Sequence, residues 1–131
     1  MDDTLATWLE RAVAHLIAWP LSRHVLTEYA ETGYGVAQYR VRVTLLDGSL
    51  IHCVEQARGL AGRVHTEKYS FHWQTAEGAL ICRWDNAPHH RELPGFPHHL
   101  HVGNETQVFT HDPVTVFELT ELIDNRFSAS K

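Results

Sequence analysis

The sequence predicts an α+β fold, an antiparallel β-meander of four or five strands flanked by an N-terminal and a C-terminal helix, all in one domain spanning residues 1–131. Three observations predict it. Apolar residues recur at helical spacing near both ends of the chain. They alternate with polar residues through much of the middle, the period of a strand with one wet face. Asp47-Gly48, a strong hairpin signal, joins two of the alternating runs.

The elements follow in order. Residues 4–19 carry Leu5, Trp8, Leu9, Ala12, Leu16 and Trp19 on one helical stripe, with Asp3 or Thr4 as N-cap and Pro20 as the stop. Residues 24–31 form a weaker strand candidate, and Gly33 and Gly35 break the chain after it. From Val36, the residues Tyr39, Val41, Val43 and Leu45 alternate with Gln38, Arg40, Arg42 and Thr44. The return strand runs from Ser49 to about Gln56, and Gly59 and Gly62 mark a loop.

A second hairpin occupies roughly residues 67–86. An even loop centred on Ala76-Glu77 puts Tyr69, Phe71 and Trp73 on one face with Leu80, Cys82 and Trp84. A one-residue slip would set His72 among the apolar groups instead. The preferred register places Lys68 opposite Asp85 and Ser70 opposite Arg83, with His72 on the same polar face. A long loop punctuated by Pro88, Pro94, Gly95 and Pro97 follows, and loops of that length in compact domains are usually functional or disordered. Asp112-Pro113 reads as a helix opening, and Val116, Leu119, Thr120, Ile123 and Phe127 give that helix a buried stripe.

Bulk properties narrow the function classes. No apolar run approaches the roughly 18–20 residues of a membrane span, and the acidic start Met1-Asp2-Asp3-Thr4 is unlike a secretory signal. A cytoplasmic chain is expected. Cys53 and Cys82 fall in predicted strands and are too far apart for a Cys-x-x-Cys element, so both are expected as buried thiols. The net charge of −5 with neutral histidines argues against a chain coated in nucleic-acid-binding charge. The acids gather at the two ends, however. Between residues 20 and 104 acidic and basic side chains balance, and protonated histidines would make that stretch positive.

Five of the 11 histidines, His89, His90, His98, His99 and His101, fall in residues 85–101. Core packing does not ask for this, but two chemistries do. Metal-free cleavage of RNA needs a base for the 2′-hydroxyl, an acid for the leaving 5′-oxygen and cations for the phosphorane-like charge. Histidine suits both proton roles and arginine the charge. The candidate catalytic set is therefore His72, Arg83, Asp85, His89, His90, His98 and His99, with Arg83 clamping phosphate and Asp85 orienting a histidine or pairing with Lys68. The second chemistry is divalent metal binding, for which Asp85, His99 and His101 are the candidate ligands, or His89 as a completing one. No specific ligand motif marks such a site, so no resident cofactor is expected. His15, His24, His52, His65 and His111 are expected to be structural or exposed. The four tryptophans read as core, and Arg40 and Arg42 as a solvated strand face.

Three segments are distinctive: Glu67-Lys68-Tyr69-Ser70-Phe71-His72-Trp73-Gln74, Arg83-Trp84-Asp85-Asn86-Ala87-Pro88-His89-His90, and Phe96-Pro97-His98-His99-Leu100-His101. Together they resemble the TumE-type toxin family, and the likeness extends over nearly the whole chain, from Asp47-Gly48-Ser49 to the helix after Pro113. The resemblance implies a toxin component of a toxin–antitoxin pair, a small helix-turn-helix antitoxin as partner, and attack on RNA as the activity. It supplies no catalytic residues.

The preferred expectation is a metal-independent endoribonuclease toxin. The alternatives are a metal-dependent enzyme acting on a nucleotide or phosphoester, and a non-enzymatic interaction module whose histidine loop docks a partner or senses pH. A homodimer through an exposed sheet edge is one arrangement a meander invites.

Overall fold

Apolar periodicity at the two ends of the chain becomes two helices, α1 (Asp3–Ala18) and α2 (Val116–Ala129). Between them run seven strands: β1 (Ser22–Gly33), β2 (Val36–Leu45), β3 (Leu50–Leu60), β4 (Arg63–Gln74), β5 (Leu80–Asp85), β6 (His99–Val102) and β7 (Val108–Thr110). The computed structural model describes residues 3–88 and 90–129. The strands form one antiparallel sheet in sequential order, with β1 and β7 at its edges. The meander and its flanking helices are as the sequence predicts, but the strand count is seven rather than four or five. The additional strands are the short pair β6 and β7; β6 begins at His99, inside the segment expected to be loop throughout.

Both helices pack on the same face of the sheet. Leu9, Ala12 and Leu16 of α1 and Leu119 and Ile123 of α2 enclose a core with Tyr39, Val41, Ile51, Phe71, Trp73 and Trp84. Alternation along each strand sends every second residue into this core and its neighbours to the opposite, polar face. Cys53 and Cys82 are buried free thiols on the core side, as expected.

Turn chemistry fixes the registers. At Asp47-Gly48 the chain makes a three-residue hairpin loop, with Gly48 NH bonded to Leu45 O at 3.0 Å and Gly48 at φ 88°, a conformation that costs glycine little. Thr75 and Gly78 repeat the pattern, with Gly78 NH bonded to Thr75 O at 2.9 Å. The second loop is therefore odd, not the even loop centred on Ala76-Glu77. A bulge restores parity: Gln74 pairs with Leu80, Trp73 with Cys82, and Ile81 is the extra residue. Phe71 and Trp73 thus keep the company of Cys82 and Trp84, but Ile81 rather than Leu80 packs on the core. Asp85 stands opposite Ser70, not Lys68, and Arg83 opposite His72, not Ser70.

The second helix also opens later than expected. Pro113 lies in irregular chain, and α2 begins behind Thr115, whose hydroxyl donates to Glu118 three residues on. Thr-x-x-Glu is a capping-box spacing, and Thr115 O accepts a helical bond from Leu119 NH at 2.9 Å.

A candidate active site on the polar face of the sheet

Because both helices sit on the apolar face, the polar face is left to solvent and to residues 86–98. Across it, four successive ladders align one row of side chains: Arg42 pairs with His52, His52 with His72, His72 with Arg83, and Arg83 with His101. At about 4.8 Å per strand the row spans about 19 Å. A second row beside it carries Ser70, Asp85 and His99.

Two imidazoles, His52 and His72, occupy the middle of the first row. Burial lowers the pKa of His52 below its ordinary value, and Arg42 and His72 lower it further. Glu28 acts in the opposite sense, and Arg40 adds to the lowering. Burial and then Arg83 lower the pKa of His72, against weaker raising by Glu105 and by a hydrogen bond with Gln74. The ring centroids of the two stand 6.1 Å apart, so neither ring can bond directly to the other.

Arg83 is the most heavily engaged cation of the face. Its Nε donates to Asp85 Oδ2 at 3.0 Å, and its two terminal nitrogens grip the Glu105 carboxylate at 3.0 and 2.6 Å. Asp85, 5% exposed, is held from three sides. Its Oδ1 accepts from Ala87 NH at 3.0 Å and lies 2.8 Å from His99 Nε2. His99 Nδ1 lies 2.8 Å from Pro97 O. Both ring nitrogens therefore face acceptor oxygens, and the ring donates to both only as the imidazolium. His101 differs. Its Nδ1 faces Glu105 O at 3.1 Å and its Nε2 faces an Arg83 nitrogen at 3.4 Å. This pattern fits the neutral tautomer, and burial lowers its pKa accordingly.

The sequence candidates thus separate into groups. His72, Arg83 and His101 lie on the row, while Asp85 and His99 lie beside it. His90 comes down from the loop onto two of these rings, with ring centroids 5.2 Å from His99 and 5.8 Å from His101. His98 turns elsewhere: its ring stacks on Tyr69 and its Nδ1 lies 2.9 Å from the Tyr69 hydroxyl. His89 lies outside the described residues. A cavity of about 500 Å³ lined by Val54, Lys68, Ser70, Arg83, Asp85 and Asn86 opens where the loop leaves the sheet. Asn86 fixes that exit, accepting from Tyr69 NH and donating to Glu67 O, each at 2.9 Å.

A family model described as toxin TumE matches residues 14–128. The chain belongs to the toxin TumE family. No curated protein and no solved structure matches it. The matched span includes all seven strands and every residue of the polar row, so the row belongs to the TumE portion of the chain. Membership makes an antitoxin the expected class of partner. Among the described residues, no helix is long and apolar enough to cross a membrane.

Sequence reasoning missed two members of the TumE chain's row, His52 and Arg42, which it assigned to structural or solvated positions. A signal existed. The Asp47-Gly48 turn already sets Arg42 opposite His52; the tight turn at Ala61-Gly62, with both residues at positive φ, would by itself set His52 opposite Phe71, and a bulge between Gln56 and Ala57 moves it to His72.

Proposed function

We propose that this toxin acts on RNA as an endoribonuclease, and that the reaction takes place on the row Arg42–His52–His72–Arg83. One observation carries the reading: two imidazoles stand side by side between two guanidinium groups on a sheet face that no helix covers. One imidazole accepts the 2′-hydroxyl proton as the 2′-oxygen attacks phosphorus. The other must first have taken up a proton to act as the acid, and it gives that proton to the departing 5′-oxygen. Arg42 and Arg83 stabilise the charge that develops on the non-bridging oxygens. The products are a 2′,3′-cyclic phosphate and a 5′-hydroxyl, and no metal is consumed or required in the step.

His99 and His101 are too buried to touch a polymer, and with Asp85, at the wall of the cavity, they serve in this reading as the bed on which Arg83 is aimed. The negative charge of the chain is unevenly spread: acids crowd the termini, and between residues 20 and 104 acidic and basic side chains balance. The cavity beside Arg83 is within the roughly 300–1,000 Å³ of small-ligand sites, large enough to receive a nucleotide flanking the scissile bond.

Expression of the chain without its antitoxin tests the reading. Growth should stop and cellular RNA should be cut, while a folded His52→Ala/His72→Ala double variant should do neither. Growth arrest that survives the double variant would place the toxic activity elsewhere.

A further inference from the structure

His90, His99 and His101 each offer a ring nitrogen, and the three atoms lie within 4.8 Å of one another. Their outer sides are already committed. Nδ1 of His99 faces Pro97 O at 2.8 Å, Nδ1 of His101 faces Glu105 O at 3.1 Å, and Nδ1 of His90 lies 3.5 Å from Glu92 Oε1. Anchoring one nitrogen on a carbonyl or carboxylate so that the other points inward is how proteins orient metal-ligating histidines. Nε2 of His99 turns to Asp85 Oδ1 at 2.8 Å, and Nε2 of His101, 3.4 Å from an Arg83 nitrogen, lies 3.7 Å from Asp85 Oδ2. A carboxylate therefore lies against the same point. His99 and His101 are 2% and 3% exposed, so an ion among them would be screened from water.

We propose that His90, His99 and His101 bind a divalent d-block cation of the zinc class, with the Asp85 carboxylate adjoining the ion as its counter-charge. Imidazole donors with one carboxylate suit zinc, cobalt or nickel and not magnesium or calcium, which require oxygen ligands. A tetrahedral ion with metal–nitrogen bonds of about 2.0–2.1 Å holds its ligand atoms about 3.3 Å apart. The trio closes by at most about 1.5 Å to reach that spacing, and His90 can supply the movement because it is on the loop while His99 and His101 are fixed in β6. His99 surrenders its Nε2 proton on binding, which moves Asp85 from hydrogen-bond partner to electrostatic neighbour of the ion. The bound ion adds a coordinate link between His90 of the loop and β6, where the rings already pack together. This inference is independent of RNA cleavage, since its ligands are not the proton-transfer pair and its readout is metal content.

The test is titration of the untagged full chain with Co²⁺, followed by visible d–d absorption, and with Zn²⁺ by calorimetry. One ion per chain is expected. His90→Ala removes a loop ligand without entering the sheet, and should weaken Zn²⁺ binding at least tenfold. Asp85→Asn should weaken it about 10–100-fold, the usual effect of losing such a neighbour. His65→Ala, on the exposed far part of β4, should leave it unchanged. Circular dichroism would confirm that each variant is folded. Failure of the wild-type chain to bind an ion stoichiometrically overturns the proposal. So does equal affinity in His90→Ala, which would show the metal on other histidines.

Discussion

His52 and His72 are cross-strand partners at the centre of the sheet's polar face, their rings inclined at 67° with centroids 6.1 Å apart. Arg42 continues the row on one side and Arg83 on the other. Replacing either histidine by alanine should lower RNA cleavage about 100- to 10,000-fold, the range for a lost general acid or base. Half-buried polar-face substitutions of this kind should change stability little, so thermal unfolding should stay close to that of the parent. Both pKa values are lowered, so the base form persists below the ordinary imidazole range. The acid limb of the rate profile should accordingly fall below pH 6.5. The charges that set it are Arg42, Arg40 and Glu28 around His52, and Arg83 and Glu105 around His72.

The Glu105 carboxylate occupies the two terminal nitrogens of Arg83 that a phosphate would use. Its side chain is 54% exposed, so the pair is a displaceable one. Glu105→Gln should tighten binding of an RNA oligonucleotide about two- to fivefold, matching a surface ion pair of about 0.2–1 kcal/mol. Fluorescence anisotropy with the catalytic histidines replaced would measure it. Weaker binding would show instead that Glu105 holds Arg83 in its working orientation.

Asp85 joins β5, β6 and the start of the loop through Arg83, His99 and Ala87. Removing one member of a buried charged network leaves the others unpaired, at a cost of about 3–5 kcal/mol. Asp85→Ala should therefore shift the urea midpoint strongly, and His99→Ala in that background should add little further loss. Additive losses in the double variant would show that the two residues stabilise the fold independently.

On the opposite face, Glu55 is buried in the core, its Oε1 accepting from the Tyr39 hydroxyl and its Oε2 without a hydrogen-bond partner. Burial pushes its pKa up to about 7 from the ordinary 4.5. In the unfolded chain the group ionises above 4.5, whereas in the folded chain it stays protonated until about 7. Its contribution is complete at low pH and is lost as pH rises through that window, by about 3 kcal/mol in all. Urea unfolding near pH 5 and near pH 8 should show the decline. Glu55→Gln should flatten it and be the more stable protein at the higher pH.

What was legible in the sequence was whatever local periodicity controls. The helix stripes and the Val36–Leu45 alternation appear in the structure because burial on one side of a regular element leaves a fixed repeat. Arg83 and Asp85 were placed on the polar face correctly despite the wrong loop length, because the bulge at Ile81 restored the parity of the hairpin. Strand β6 was hidden by its composition: His99 and His101 are buried by partners rather than by hydrophobicity. The four-strand row was hidden for another reason. Each ladder is local, but joining Arg42 to Arg83 requires three consecutive registers to be right at once, and two of them are shifted by bulges, at Gln56/Ala57 and at Ile81, that no turn residue announces.

The most direct test of the central claim is the chemistry of the ends left on a defined RNA oligonucleotide, determined by mass spectrometry after incubation with purified protein. A 2′,3′-cyclic phosphate facing a 5′-hydroxyl is predicted, with no cutting when the ribose 5′ to the scissile phosphate lacks its 2′-hydroxyl and none by the folded His52→Ala/His72→Ala variant. Intact RNA with the wild-type protein, or products unchanged by either substitution, would contradict the account.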